Sequence, residues 1–156
     1  VSGRCMAAGA VMAMCCDYRY AVPAMRFSLP EANLAMNFPA FATRRLKELV
    51  GEQKARDLLF TGKMLRAKEA AEFGLIDEIY EPDEFDARVR KHATKLANLR
   101  PNTLRGMKAS MRKEYEAGQT EIQQFDIDEL TRIILTPDTQ EAVLSLIEKR
   151  RPRFVD

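Results

Sequence analysis

Small residues at the start of the chain and a carboxylate that follows them are the strongest candidates for chemistry. Residues 3–10 read GRCMAAGA, and small side chains let backbone N–H groups approach a ligand closely. A helix that begins just after such a turn directs its positive end at the same place. Glu31 follows Pro30 and enters from a separate segment. The pattern predicts a site where backbone donors polarise an oxygen while one acid moves protons.

Each of these two features also has a purely structural explanation. Small residues permit close packing of a helix on a strand, and an acid directly after proline is common at the start of a turn or helix. Glu31 would need burial to raise its pKa toward neutrality before it could act as a general acid or base. The neighbouring Phe27, Leu29 and Leu34 predict such an apolar pocket.

The three cysteines have no metal-ligand spacing. Their odd number, and the apolar run that holds Cys15 and Cys16, predict reduced, buried thiols in a cytosolic type of compartment. A thiol-dependent enzyme is the least favoured hypothesis, because the one histidine, His92, lies far away in a charged helical pattern typical of a surface. The methionines at positions 6, 12, 14, 25 and 36 are predicted as buried filler rather than as the lining of an acyl pocket.

Composition limits the class of protein. The 156 residues are 46% hydrophobic and 31% charged, which predicts one globular domain with a core. A net charge of +2 gives no electrostatic reason to expect nucleic acid or a membrane as partner. The chain has no apolar run of about 18 residues and no signal-peptide pattern. Because it begins without Met, two residues before the glycine turn, we expect a strand ahead of Val1 and a longer or split protein.

The elements that would position the candidate residues change character along the chain. The front half predicts a turn over residues 3–9, a short helix buried on all sides over residues 10–16, and extended segments over residues 17–22 and 25–29. Asp17 is expected to satisfy backbone groups at the end of that helix. Later apolar periodicity predicts helices over residues 40–50, 52–60, 65–73, 82–99, 103–117, 121–135 and after 138, with one strand over residues 75–80.

Five motifs in this order resemble the crotonase superfamily, the enoyl-CoA hydratase/isomerase group. They are GRCMAAGAVMAMCCD at residues 3–17, FSLPE at 27–31, PAFATRRLKELVG at 39–51, LFTG with AKEAAEFGLI at 59–76, and the tail over 138–154 that contains EKRRPRF. The resemblance runs along the whole chain and corresponds to the later portion of the family's fold.

The resemblance implies an α/β fold, the C-terminal part of a crotonase-like ββα spiral followed by a helical oligomerisation region. Residues 1–80 would form a partial core with the oxyanion turn and the catalytic acid, and residues 81–156 the helical region. The earlier portion of the family fold would supply the first oxyanion N–H and much of the coenzyme A pocket.

The resemblance also assigns roles to residues. The backbone N–H of Ala8 would hold the thioester oxygen, a contribution worth a few kcal/mol per donor in such sites, and Glu31 would be the catalytic acid or base. Ala7 and Ala8 stand where the family has glycines, which changes the tightness of the turn. The positions expected to contact substrate are Gly3, Met6, Ala7, Gly9, Val11 and Pro30.

Val11 occupies the position of the family's first catalytic glutamate. Hydration of a double bond benefits from two carboxylates that orient the water, whereas moving a double bond needs one base. One acid at Glu31 therefore favours Δ3–Δ2 enoyl-CoA isomerisation, with hydration as the alternative. A non-catalytic fragment or oligomerisation partner is a further alternative.

The expected partners follow from the same resemblance. An acyl-coenzyme A thioester would be the substrate, with no separate cofactor and no metal, and the protein would form a trimer or a dimer of trimers. The expected compartment is the cytoplasm, with the mitochondrial matrix or peroxisome as alternatives. The basic residues over 149–153 are interpreted mainly as a solvated helix end, with contact to coenzyme A phosphates as the alternative.

Overall fold

The computed structural model describes residues 1–116, 123, 124, 126–128, 131 and 134–153. The fold is mixed α/β and rich in helix. Its strands are β1 (Arg4–Met6), β2 (Tyr20–Ala21), β3 (Arg26–Ser28), β4 (Leu65–Arg66) and β5 (Glu78–Ile79). Its helices are α1 (Ala8–Cys15), α2 (Ala40–Val50), α3 (Glu52–Thr61), α4 (Ala67–Glu72), α5 (Pro82–Ala97), α6 (Pro101–Glu116) and α7 (Pro137–Ile147), with a 3₁₀ helix over Glu31–Leu34.

The described strands form two small sheets. In the first, β3 lies between β1 and β4, pairing parallel with β1 and antiparallel with β4. In the second, β2 pairs parallel with β5. Parallel pairing of β1 with β3 matters most for function, because both strands then end at the same edge of the sheet.

The first strand is absent from the sequence-based prediction, which placed a turn over residues 3–9. Instead, Arg4–Met6 pairs with Arg26–Ser28, and Cys5 is buried opposite Phe27. Three residues are too short for a visible alternating pattern, and the partner strand lies about twenty residues later in the chain. The other predicted strands are confirmed in place but are shorter than predicted.

The prediction that the first helix is buried on all sides is wrong. Ala10 and Met14, four residues apart, face the core with no exposed surface, whereas Met12 is 73% exposed. Cys15 and Cys16 are exposed as well, so the expectation of three buried thiols holds only for Cys5. A run of apolar residues gives no clue to which side of a helix faces out.

The core is one cluster of buried side chains contributed by helices α1 to α4 and by the strands of the first sheet. Its largest fully buried side chains include Phe27 and Met25 around β3 and three leucines that are far apart in the chain. These are Leu46, Leu58 and Leu75. Burying side chains of this size stabilises the fold by about 1.5–3 kcal/mol each. The core thus fixes β3, and with it the start of the Glu31 segment.

The back of the molecule is helical. Helix α5 begins at Pro82 as predicted, and Thr136 caps α7 by accepting a hydrogen bond from the Thr139 N–H. The predicted helix over 121–135 includes Ile122, Phe125, Leu130 and Ile133, which lie outside the described residues, as does Phe154 of the tail motif. Those of its residues that are described are helical up to Ile134. In the described ranges, no helix is long and apolar enough to cross a membrane.

Candidate active site

The parallel strands β1 and β3 bring the small-residue turn and the acid to one edge of the sheet. Met6 pairs with Ser28, and the pairing extends one residue further because the Ala7 N–H donates to the Ser28 carbonyl oxygen at 3.2 Å. Beyond this point both segments leave the sheet. The first enters α1 at Ala8, and the second reaches Glu31 three residues after Ser28. The predicted convergence of turn and acid therefore has a structural basis.

The turn that leads into α1 depends on a strained alanine. Ala7 has φ 46° and ψ −123°, a conformation that residues with a Cβ rarely adopt. Holding such a residue in place costs about 1–3 kcal/mol. Gly9, by contrast, has no positive φ. The glycine that the backbone requires is thus at position 7, where this chain has alanine.

Ala8 is the first residue of α1, and its N–H has no acceptor within the helix. The first bond of the helix runs from the Val11 N–H to the Ala7 carbonyl oxygen at 3.0 Å, which leaves the amides of residues 8–10 without an intrahelical acceptor. Ala8 is also exposed. A ligand oxygen at this edge would meet an unpaired donor and the positive end of a helix.

Glu31 carries a buried carboxylate. It is 8% exposed, and its Oε2 atom has no hydrogen-bond partner among the described residues. Burial raises the pKa of Glu31 above the ordinary glutamate value, partly offset by a hydrogen bond from its own backbone. An unsatisfied buried acid with a raised pKa is typical of a proton-transfer site. The predicted burial of Glu31 is confirmed.

The residues predicted to surround Glu31 are buried to different degrees, and their contact with its carboxyl stays a prediction. Phe27 and Leu29 belong to the buried core, and Leu34 is half-buried at the end of the 3₁₀ helix. The helix is short because Ala35 turns the chain with φ 51°, and the Met36 N–H then donates to the Glu31 carbonyl oxygen at 3.0 Å.

The remaining predicted substrate positions lie in or beside β1 and α1 or directly before Glu31, and Gly3 lies at the opposite end of β1 from the turn. Val11, at the position where the resemblance places a second acid, is half-buried in α1 and packs against the core. Met6 ends β1, and Pro30 directly precedes the acid, both half-buried. Gly3 and Gly9 are exposed, with Gly3 accepting a bond from the Arg26 N–H at 3.1 Å. Their contact with substrate stays a prediction.

Residues of the helical C-terminal half form hydrogen bonds with the segment that follows Glu31. Thr139 of α7 is buried and donates to the Ala35 carbonyl oxygen at 3.1 Å. Asp126 accepts hydrogen bonds from the backbone N–H groups of Ala40 and Phe41, at the start of α2. Sequence periodicity could not reveal these contacts, because they join residues 85 to 104 positions apart.

The other residues considered from the sequence have surroundings that differ from those predicted. His92 is half-buried rather than a surface residue, and its ring centroid lies 4.6 Å from that of Tyr18 and 5.6 Å from that of Tyr20. Asp17 forms an exposed ion pair with Lys108 of α6 instead of capping α1. Among the described residues, no group of three or more His, Cys, Asp or Glu is arranged to hold a metal ion.

Two arginines of the basic segment 149–153 form hydrogen bonds with a glutamate of the same chain. Both Arg150 Nη atoms donate to Glu141 of α7, and the Arg153 N–H donates to the same carboxylate. Paired in this way, Arg150 is a structural residue, which agrees with the interpretation of the cluster as a helix end. Lys149 turns the chain after α7 with φ 54°.

Comparison with known proteins gives a consistent result. The family model described as enoyl-CoA hydratase/isomerase matches residues 1–156. Among curated relatives, the crotonyl-CoA hydratase of Syntrophomonas wolfei is 30% identical over 99% of this chain and 60% of its own length. The 2,3-dehydroadipyl-CoA hydratase of Escherichia coli is 29% identical, with the same shares covered. The chain thus spans about 60% of the length of these relatives.

Solved structures agree on the fold. An enoyl-CoA hydratase/isomerase from Pseudoalteromonas atlantica superimposes with a TM-score of 0.86 at 29% identity, covering 99% of this chain and 63% of that one. An enoyl-CoA hydratase from Mycobacterium avium subsp. paratuberculosis gives 0.92 at 24% identity, over 100% and 63%, and supports the fold alone. The predicted mixed α/β crotonase fold is confirmed. Its correspondence to the later portion of that fold stays a prediction from motif order.

Proposed function

The chain belongs to the enoyl-CoA hydratase/isomerase family of the crotonase superfamily, and from this premise we propose that its site shifts an enoyl-CoA double bond from Δ3 to Δ2. The observation that carries the proposal is the contrast between Glu31 and Val11. One buried carboxylate is present, with an Oε2 atom that has no hydrogen-bond partner among the described residues, and Val11, where the resemblance places a second acid, is apolar and packs against the core.

The proposed reaction needs one base and one polarised oxygen. Glu31, as a carboxylate, removes a proton from C2 of a 3-enoyl thioester, and the electron pair moves toward the thioester oxygen. The Ala8 N–H stabilises that oxygen, together with a second donor that the resemblance places ahead of Val1. The protonated Glu31 then returns the proton to C4, which leaves the double bond between C2 and C3.

Burial of Glu31 suits this role. A pKa raised by burial makes its carboxylate a stronger base for removing the C2 proton. The oxygen of the intermediate carries more charge than that of the substrate, so a donor fixed at a helix start favours the intermediate. Neither step uses a side chain at position 11.

The proposal is tested by giving the protein 3-enoyl-CoA and 2-enoyl-CoA of equal chain length and following both products. The chain should be assayed alone and as the protein encoded when the upstream coding sequence is included. Faster conversion of 3-enoyl-CoA to 2-enoyl-CoA than hydration of 2-enoyl-CoA supports isomerisation. Faster hydration contradicts it.

Hydration is the second candidate function, because the curated relatives quoted above are named hydratases. In that case Glu31 would activate water without the help of a second carboxylate. The predicted signature is formation of 3-hydroxyacyl-CoA from 2-enoyl-CoA in the same assay, at a rate above that of isomerisation.

An oligomerisation role is the third candidate. Helix α7 exposes several large apolar side chains, including Leu146 at 61% and Ile147 at 73%. We propose that residues 81–156 contribute to a trimer or a dimer of trimers, whether or not the chain is catalytic. Light scattering coupled to size-exclusion chromatography tests this, and a monomer at micromolar concentration would contradict it.

A further inference from the structure

Ser28 connects the two halves of the candidate site. It ends β3 and is 2% exposed, three residues before Glu31. Its carbonyl oxygen accepts the hydrogen bond from the Ala7 N–H, directly before the proposed donor Ala8. Its hydroxyl donates to the Gly62 carbonyl oxygen at 3.0 Å. One buried residue therefore contacts both the strained turn and the end of α3.

Gly62 links that hydroxyl to the acid. It ends α3 with φ +59° and lies against the Glu31 segment. A Cβ added at Gly62 would lie 2.4 Å from Asn33 Nδ2 and 3.4 Å from Pro30 Cα. Pro30 directly precedes the 3₁₀ helix and Asn33 lies within it, so the position of Gly62 limits where this helix can sit.

We propose that Ser28 is a positioning residue that holds the Glu31 carboxyl and the Ala8 N–H in register with each other. It acts through Gly62 on one side and through Ala7 on the other, without contacting the reacting atoms. The Oε2 atom of the buried Glu31 carboxyl has no hydrogen-bond partner among the described residues, so the place of the carboxyl depends mainly on the backbone around it. The effect of Ser28 on catalysis rests on the isomerase function proposed above. Its effect on the position of Glu31 does not.

The first test measures Glu31 directly and needs no turnover. The side-chain carboxyl of Glu31 is titrated by ¹³C NMR in the wild type and in S28A. Without the hydroxyl anchor, the 3₁₀ helix is expected to loosen and admit water. The pKa of Glu31 should then fall toward the ordinary value of about 4.3. A Glu31 pKa in folded S28A equal to that of the wild type overturns the proposal.

The matched control is S145A. Ser145 is 3% exposed and its hydroxyl donates to the Ala142 carbonyl oxygen at 2.8 Å, within α7. Both variants remove one buried hydroxyl that bonds to a backbone carbonyl, but only Ser28 lies between the two halves of the site. The Glu31 pKa should stay unchanged in S145A, and an equal fall in both variants would contradict a specific role for Ser28.

Two further measurements keep the test decisive. If S28A does not fold, S28C takes its place, since a thiol of similar size is a weaker donor. The Glu31 pKa should still fall in S28C, and an unchanged value again overturns the proposal.

Amide hydrogen exchange at Ala7 should be faster in the Ser28 variant than in S145A, because the acceptor of that N–H is less firmly held. Equal exchange contradicts the link to the turn.

The activity arm separates the two proposals. If the wild type isomerises 3-enoyl-CoA, S28A should lower kcat about tenfold or more with little change in KM, since positioning affects the transition state. S145A should retain wild-type kcat. If the wild type does not isomerise, the function proposed above fails, while the NMR titration still decides whether Ser28 positions Glu31.

Discussion

Two glutamates in different regions of this molecule lie in opposite electrostatic environments. Glu31, at the edge where β1 and β3 end, is buried and has an oxygen atom without a partner among the described residues. Glu141, on α7, accepts hydrogen bonds from Arg150 and from the Arg153 N–H. Burial raises the pKa of Glu31, whereas these bonds lower the pKa of Glu141 to about 2.

The contrast extends to the surroundings of each acid. Near Glu31, Ala7 has a positive φ and the amides at the start of α1 lack intrahelical acceptors. Around Glu141, the helix is capped by Thr136 and the following segment is held by Arg150. Natural folds rarely keep unpaired groups and strain without a functional reason. This contrast supports the proposal that chemistry takes place at the edge that holds Glu31, whereas the network around Glu141 stabilises the fold.

The largest expected effect comes from removing the acid itself. Glu31→Gln keeps the size of the side chain but cannot accept a proton, so isomerisation of 3-enoyl-CoA should fall by about 10²- to 10⁴-fold. The measurement is kcat/KM on the active form of the protein. Full activity in this variant would remove Glu31 as the base.

Glu141→Gln is the control for that loss. It makes the same chemical change in an acid whose role is structural, so it should leave kcat/KM within about twofold of the wild type. A loss of kcat/KM comparable to that of Glu31→Gln would mean that Glu141 is not purely structural, and the contrast between the two acids would fail.

The next effect concerns the choice of reaction. Val11→Glu restores a second carboxylate, and it should raise the ratio of hydration to isomerisation by about tenfold, a barrier change of about 1.4 kcal/mol. Val11→Gln has nearly the same size without the titratable proton and is the matched control. Equal ratios in the two variants would show that position 11 does not decide the reaction.

Sequence reasoning predicted the parts of the site that are local. The proximity of a small-residue turn to a helix start, the acid after Pro30, and the apolar residue at Val11 are all visible as residue types in order. Burial of Glu31 was predicted from the apolar residues beside it and is confirmed by its 8% exposure. The convergence of these two separate segments was a hypothesis from residue types, and the family resemblance added the roles of Ala8, Val11 and Glu31.

Other features could not be predicted because they depend on distant partners. The bond from Ser28 to Gly62 joins residues 34 positions apart, and β1 forms only because β3 lies beside it. The exposure of Cys15 and Cys16 depends on which side of α1 meets the core. The strain at Ala7 is a backbone property, for which the sequence offers only an alanine where the family has glycine.

That strain leads to a prediction of intermediate size. Ala7→Gly should stabilise the protein by about 1 kcal/mol, because glycine adopts a positive φ without a clash of its Cβ. Ala35→Gly is the comparison, since Ala35 has φ 51° and ψ 38°, a left-handed conformation that costs an alanine less. Urea denaturation should show the larger gain for Ala7→Gly, and the reverse order would contradict the placement of strain at the active edge.

The smallest effects should have opposite signs for the two acids. Glu31 holds its proton more tightly when folded, so its contribution to the free energy of unfolding is present below the ordinary glutamate pKa and is lost as pH rises through the folded value. Glu141 has a folded pKa of about 2, so its contribution is present above the ordinary value and is lost as pH falls toward 2.

Urea denaturation across this range should therefore show Glu31→Gln gaining stability relative to the wild type as pH rises. Glu141→Gln should lose its disadvantage as pH falls. Parallel curves for the two variants would mean that both acids are held in the same way, and the contrast between the two regions would then fail.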